Sequence, residues 1–273
     1  MNNGGWIARF FKLREQPSLL TRFVAGVLCV ALVLGVWSFL TAGKPEERIL
    51  PRGVIDSPRE TFSTFGSLWF DRELTRNMAL SVWRLLQGFG LAALVGVPLG
   101  VLCGTWPRIN AFFAPISVFG RNVPVSALVP LTLVWFGIGE LQKIMFIFIA
   151  CVMFIVFDSA RAIASVREQY VQTALTLGAK KSQVVLKVLV PLALPDIVGS
   201  LRLLFGLAFG YIILAELIGQ EGGVGNLISD SQRIGPREHV YLILFTITIV
   251  AYGIDRLLFK FQHFIFPYRE MED

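Results

Sequence analysis

Apolar residues gather in six long stretches of this chain, separated by shorter polar intervals. The stretches are Phe23 to Leu40, Leu80 to Gly104, Ile109 to Phe136, Leu141 to Phe157, Ile197 to Ile218 and Val240 to Leu258. Each is close to the roughly 20 residues that a helix needs to cross the hydrocarbon of a bilayer. The pattern predicts an all-α membrane protein with six transmembrane helices. A cleaved signal peptide is the rival reading of the first stretch, since Arg9, Lys12, Arg14 and Arg22 precede it. The run is longer than a signal core of roughly 7–15 residues, so it reads as an uncleaved span. The third stretch holds Arg121 and three prolines, Pro115, Pro124 and Pro130, and can be continuous or broken.

Composition agrees with this pattern. Hydrophobic residues make up 55% of the 273 positions and charged residues only 16%, where a soluble domain carries about 25% charged. Cys29, Cys103 and Cys151 lie in apolar runs without metal or redox spacing, and read as small core residues. The net charge of +6 does not imply nucleic acid, because the basic residues sit beside the spans. Segment 161–195 holds Arg161, Arg167, Lys180, Lys181 and Lys187 against Glu168 alone, whereas segment 42–79 balances six basic with six acidic residues. The positive-inside bias therefore predicts that both termini and 161–195 are cytoplasmic. Residues 42–79 become an outward loop, with a short surface helix expected over Thr61 to Leu74. The expected divisions are 1–75 (N-terminal segment, first span, periplasmic loop), 76–265 (core) and 266–273 (cytoplasmic tail).

The polar segment 161–195 has its own order. Tyr170, Val171, Ala174, Leu175 and Leu177 place apolar groups on one side of a short helix. Gly178 can end that helix in the left-handed conformation. Ser182 can cap a second helix running to Pro191. Such a knuckle suits insertion into a groove on a partner. It equally suits an amphipathic segment held on the inner leaflet by its lysines.

The spacing Gln172-Thr173-Ala174, three residues, Gly178, nine residues, then Val188-Leu189-Val190-Pro191 resembles the coupling loop of permeases from binding-protein-dependent ABC importers. In those loops Glu-Ala-Ala stands where Gln172, Thr173 and Ala174 stand here, so one carboxylate is lost. Two further stretches are similar to the nitrate, sulfonate, taurine and bicarbonate permeases. They are Arg121-Asn-Val-Pro124 through Trp135-Phe136-Gly137-Ile138-Gly139-Glu140, and Ala215-Glu216-Leu217-Ile218-Gly219 through Gly223-Val-Gly225. The resemblance implies a type I importer permease fold in a bacterial inner membrane, a homodimer, and a small anionic solute. It implies a periplasmic binding protein on the outward face, near 137–143 and 219–239. Separate ATPase subunits, carrying the ATP and Mg, would dock on Gln172, Thr173, Ala174, Leu175, Gly178, Ala179 and Pro191. No cofactor is expected on this chain.

Gly88, Ala92, Gly96, Gly100 and Gly104 recur at four-residue intervals in the second span, and Gly206 and Gly210 in the fifth. Small ridges of this kind let lipid-embedded helices approach closely; a static seam and a sliding one are both open readings. Among the charges, Arg121 lies near mid-membrane if its span is continuous, and near the inner headgroups if the span breaks at Pro115 and Pro124. Arg84 can snorkel at the outward end of its span or meet an anion, and Glu216 can position helices or line the path. These three are the substrate-path candidates. Gly43-Lys44 lacks the glycines of a phosphate loop, and His239 and His263 lie at opposite ends of one span. A stand-alone secondary transporter or channel, using Arg121 and Glu216 as a relay, is the alternative. A membrane-embedded enzyme would need convergent titratable groups that the spans barely supply.

Overall fold

The computed structural model describes residues 17–43, 48–50, 55–218 and 221–267. Arg9, Lys12, Arg14, Lys44, Gly219 and the tail from 268, used above for orientation or motif, lie outside the described residues. The chain divides into two compact units, Met1–Ser63 and Thr64–Asp273.

The first unit holds α1 (Leu19–Leu40) and α2 (Pro58–Ser63). Ser18 caps α1 by accepting a hydrogen bond from the Thr21 amide at 3.2 Å. No residue of α1 is buried within this chain, as expected of a helix whose solvent is lipid. Trp37 donates to the Asp56 carbonyl at 2.9 Å, pinning the return of the loop. Arg48 holds Glu60 through two bonds of 3.0 and 3.1 Å. With help from Ser57, that fork lowers the Glu60 pKa to about 2.

The second unit contains a π-turn (Ser67–Asp71), then α3 (Leu74–Thr105), α4 (Pro107–Asn122), α5 (Val125–Phe136) and α6 (Glu140–Ala164). There follow α7 (Glu168–Thr176), α8 (Lys181–Val184), a second π-turn (Val185–Leu189), α9 (Val190–Glu216), α10 (Val224–Arg233) and α11 (Glu238–Ile265). Among the described residues five helices are long and apolar enough to cross a membrane, and α4 with α5 passes the same test as a sixth only when the bent pair is counted as one span. The short helix expected over Thr61–Leu74 is instead two pieces, α2 and the first π-turn.

The third span is not continuous. Its halves meet at 103°. The break falls at Pro124, which lacks an amide and forces Val123 into extended backbone (φ −68°, ψ 127°). Pro115, the other expected break, is absorbed inside α4. The fifth span is longer than its apolar run, because α8, the second π-turn and α9 form one rod from Lys181 to Glu216. Pro191 therefore does not terminate the second helix of the loop. The Val190 amide donates to the Val185 carbonyl, an i→i+5 step immediately ahead of the proline. Ser182 is not the cap of that helix either. Lys180 takes the position, and its amide donates to Gln183 Oε1 at 2.8 Å.

The core is the seam between α3 and α6. A Cβ added at Gly88 would lie 2.6 Å from the Ile144 carbonyl, at Gly100 2.5 Å from Ser159 Cβ, and at Gly104 2.6 Å from the Ala160 carbonyl. Gly96 meets Ile155 at 2.8 Å, and Ala92 is fully buried on the same line. At its glycines the ridge is thus closed by α6, through main-chain carbonyls at Gly88, Gly100 and Gly104 and through the Ile155 side chain at Gly96, the close packing that lipid-embedded helices use. α9 joins through Phe205, edge-on to Phe89 at 5.1 Å and to Phe209 at 5.7 Å. Gly206 and Gly210 do not repeat the seam within the chain, since nothing lies within 4 Å of either added Cβ.

The contrast gives a prediction. Gly100→Val should destabilise the purified chain in detergent by more than the roughly 1–3 kcal/mol of ordinary overpacking, because the new methyls meet backbone. In the monomeric chain, where the Gly206 face is open, Gly206→Val should stay within about 0.5 kcal/mol of wild type. Equal losses in unfolding experiments on the two variants would refute the seam assignment.

Candidate functional site

Three sites carry the residues singled out by sequence. The first is the 165–191 knuckle, at the loop end of the second unit. α7 stops because Gly178 takes φ +83°. The Ala179 amide then reaches back to the Ala174 carbonyl at 3.0 Å, closing a Schellman turn. The apolar residues expected on one side are divided between two. Val171, Ala174 and Ala179 pack on a small core of Ala162, Ile163, Val184, Val185, Leu189, Ala193 and Ile197. Tyr170, Leu175 and Leu177 face outward, Leu177 with 82% of its surface exposed. Gln172 and Thr173 are exposed beside them, while Pro191 sits in the rod of α9. The knuckle is therefore seated on the span ends by one face and bare on the other.

The second site lies at the opposite end and is built on Arg84, which is only 1% exposed. It does not snorkel. Its Nε and one terminal nitrogen both bond Glu140, the Nε at 2.6 Å. Its other terminal nitrogen bonds Glu216 at 2.7 Å and the Gly222 carbonyl at 3.0 Å. The Glu221 carbonyl accepts a fifth bond at 2.9 Å. A guanidinium has five N–H donors, so Arg84 has none left for an anion in this conformation. Glu216, fully buried, also accepts from Ser81 at 2.7 Å and from the Gly225 amide at 3.0 Å. Ser81 Oγ accepts in turn from the Val224 amide at 2.9 Å, and Asn77 from the Gly223 amide at 2.7 Å. Lys143, also buried, pairs with Glu221 at 2.8 Å.

The glycines after Glu221 are required by this closeness. Gly223 has φ +100°, and a Cβ there would lie 2.4 Å from the Glu216 carboxyl carbon. A Cβ at Gly225 would lie 2.5 Å from the Ile213 carbonyl. Sequence reasoning found Arg84, Glu216 and the glycines but not Ser81, Glu140, Lys143 or Glu221 as one cluster. The available signal was polar spacing at helix ends: Ser81 and Arg84 three apart, and Glu140 and Lys143 three apart.

The third site is the bend. Arg121 ends α4, half-buried, with its guanidinium 3.7 Å from the centre of the Phe157 ring. Asp158 lies within its field and that of Arg161. Glu140 and Phe157 are seventeen positions apart on one helix, or about 25 Å at 1.5 Å per residue. The structure thus unites Arg84 with Glu216 and keeps Arg121 far from both.

Residues 96–265, more than half of the chain, match the family described as binding-protein-dependent transport system inner membrane component. The chain belongs to this family. It is 30% identical to the taurine transport system permease protein of Escherichia coli over 73% of each chain. It is 32% identical to the bicarbonate transport system permease protein of Synechococcus elongatus, over 71% of this chain and 70% of that one. The fold matches a chain of the inward-facing MetNI methionine ABC transporter with a TM-score of 0.65 at 22% identity, covering 73% of this chain and 97% of the other. The protein is a multi-pass ABC importer permease that works with ATPase and binding-protein partners; ATP is hydrolysed on the separate ATPase subunits. Nothing in these relationships supports a stand-alone secondary transporter or channel.

The burial difference inside the permease's Arg84 cluster predicts unequal costs. Glu216→Ala, at a fully buried carboxylate, should lose about 3–5 kcal/mol by stranding the guanidinium. Glu140→Ala should lose clearly less, because the Glu140 side chain is 55% exposed. Unfolding of detergent-solubilised variants measures both, and a larger loss at Glu140 would contradict the geometry.

Proposed function

We propose that this permease carries a small anion across a bacterial inner membrane as a homodimer, both termini cytoplasmic. The single observation that carries the ATPase contact is the half-seated knuckle. α7 offers Gln172, Thr173, Leu175 and Leu177 to a partner while Val171 and Ala174 tie it to the spans. A membrane-surface helix would use its apolar face on lipid, and here part of that face is spent on the protein's own core. Two ATPases, each holding ATP and Mg, dock on the two knuckles. Gln172 offers a hydrogen bond where the family's loop offers a carboxylate. The binding protein docks at the opposite end, on residues around 137–143 and 221–239. The open Gly206–Gly210 face of α9 leaves room for close approach by the second copy.

The anionic substrate class rests on the taurine and bicarbonate permeases among the relatives. Arg121, which the break at Pro124 places toward the loop end, is the path candidate with donor capacity to spare, since its contact is a ring face rather than a saturating set of acceptors. The Arg84–Glu216 cluster is a clamp that fixes the Gly222–Gly225 segment to α3 and α9, and so positions the outward opening.

Gly178→Val tests the docking. The added side chain has open space, with nothing within 4 Å, but φ +83° is strained for a β-branched residue. The variant should insert normally and lose most ATPase co-purification; full retention would overturn the docking assignment. Arg121→Ala should lower uptake of labelled taurine or bicarbonate by about tenfold or more, the equivalent of roughly 1.4 kcal/mol, in vesicles holding the complete importer. Unchanged uptake of whichever anion the wild type carries would remove Arg121 from the path.

A further inference from the structure

α9 carries the knuckle into the membrane, yet its loop-end half is also gripped from the side by the last helix. Arg202 of α9 donates to Asp255 of α11, Nε to Oδ1 at 2.7 Å and a terminal nitrogen to Oδ2 at 3.4 Å. The same guanidinium lies 4.7 Å from the centre of the Phe259 ring. One to two turns further along, Gln262 donates to the Pro195 carbonyl at 3.1 Å and is only 6% exposed. Gly199 makes that approach possible, because a Cβ there would already lie 3.3 Å from the Gln262 amide nitrogen.

The two sets of residues are in register. Pro195, Gly199 and Arg202 fall at i, i+4 and i+7 on α9; Asp255, Phe259 and Gln262 fall at i, i+4 and i+7 on α11. Each triplet is one stripe of a helix, and the antiparallel stripes meet through Arg202 with Asp255 and Phe259 and through Pro195 and Gly199 with Gln262. Arg202 is fourteen positions from Glu216, about 21 Å, and Asp255 seventeen from Glu238, about 25 Å. A hydrocarbon core is about 30 Å thick, so with Glu216 and Glu238 taken as its outward edge both charges fall in its loop-end third. Ionisable groups at such depth are costly unless paired, and they pair here with each other. Apolar contact alone would drive this packing weakly in lipid. Polar contacts at two levels therefore set both the angle and the register of α11 on α9.

We propose that Asp255 and Gln262 are positioning residues that latch the last span to the knuckle-bearing helix, so that α11 moves as one body with the ATPase contact. The proposal rests on the knuckle being that contact. Motion delivered to Lys181–Glu216 then moves two spans rather than one. α11 is in turn packed against α10, so the movement reaches the Arg84 end by a second route.

The test uses the complete importer in phospholipid vesicles. Spin labels at Leu186→Cys beside the knuckle and Phe264→Cys on α11, both exposed positions, report their separation with and without ATP–vanadate. In the wild type the separation should hold to within about 2 Å between the two states. In the Asp255→Asn, Gln262→Leu double variant it should change on trapping by about 5 Å, one helical turn. The Arg202→Asp, Asp255→Arg exchange, with Gln262 intact, should return the wild-type behaviour. A large change in the wild type, or none in the double variant, would overturn the latch. A double variant that fails to insert while the exchange inserts and shows the large change would overturn it as well. ATPase co-purification separates the two readings. It should survive in every latch variant, and its retention in Gly178→Val refutes the docking assignment without altering the distances.

Discussion

The contact of α3 backbone with α6 backbone is the constraint on which the other features stand. In lipid, two apolar helices gain little by meeting, since the hydrocarbon they leave is as apolar as the partner they find. Close packing must supply the attraction, and the four glycines with Ala92 remove the side chains that would hold the axes apart. The result is a rigid pair with two defined ends. One end places Ser81 and Arg84 beside Glu140 and Lys143. At the other, Ile163 and Ala162 become part of the floor on which the knuckle sits. A shift of α3 by one residue would turn Arg84 away from Glu140 and put a bulky residue against Ile155.

The two ends use polarity differently. At the Arg84 end, one cation satisfies two carboxylates and two backbone carbonyls, and the loop segment 221–225 is held by amides that have no helix to serve. Every donor is matched, which is what a buried guanidinium requires. Disturbing one partner strands several others, so this end resists gradual change. At the loop end the polar contacts are fewer and partly exposed, with Arg202 at 24% and Asp255 at 35% of their side-chain surface. Under the proposed ATPase docking this end has to transmit a push, for which firm seats matter more than a saturated lock; Val171, Ala174 and Ala179 supply such seats.

The spans, the α3 ridge and the Gly178 break were legible because each is a local pattern: a run of apolar residues, a four-residue repeat, or one residue with a special backbone freedom. The features misread are those that depend on distant segments. Arg84 reads as a snorkelling residue near a helix end until Glu140 and Glu216, 56 and 132 positions away, are brought to it. The Gly206–Gly210 repeat resembles the Gly96–Gly100 repeat in sequence, yet only the latter faces a helix of the same chain. Pro115 and Pro124 are the same residue type in one apolar run. Pro124 breaks the helix because the chain turns through 103° there, while Pro115 is absorbed in an unbroken α4.

Pro191 illustrates how the membrane and the knuckle become a single element. Proline ten residues into a rod normally weakens it, because an amide is missing and the ring presses on the preceding turn. Here the preceding turn is widened to the π spacing, and the Val190 amide is used one residue further back. The rod therefore continues from Lys181 to Glu216 instead of ending where the polar loop ends. A short helix tethered by a flexible link could dock and still leave the spans unmoved. Under the proposed docking, a rod joined end to end would carry displacement at Lys181 to Glu216, the carboxylate at the centre of the opposite cluster.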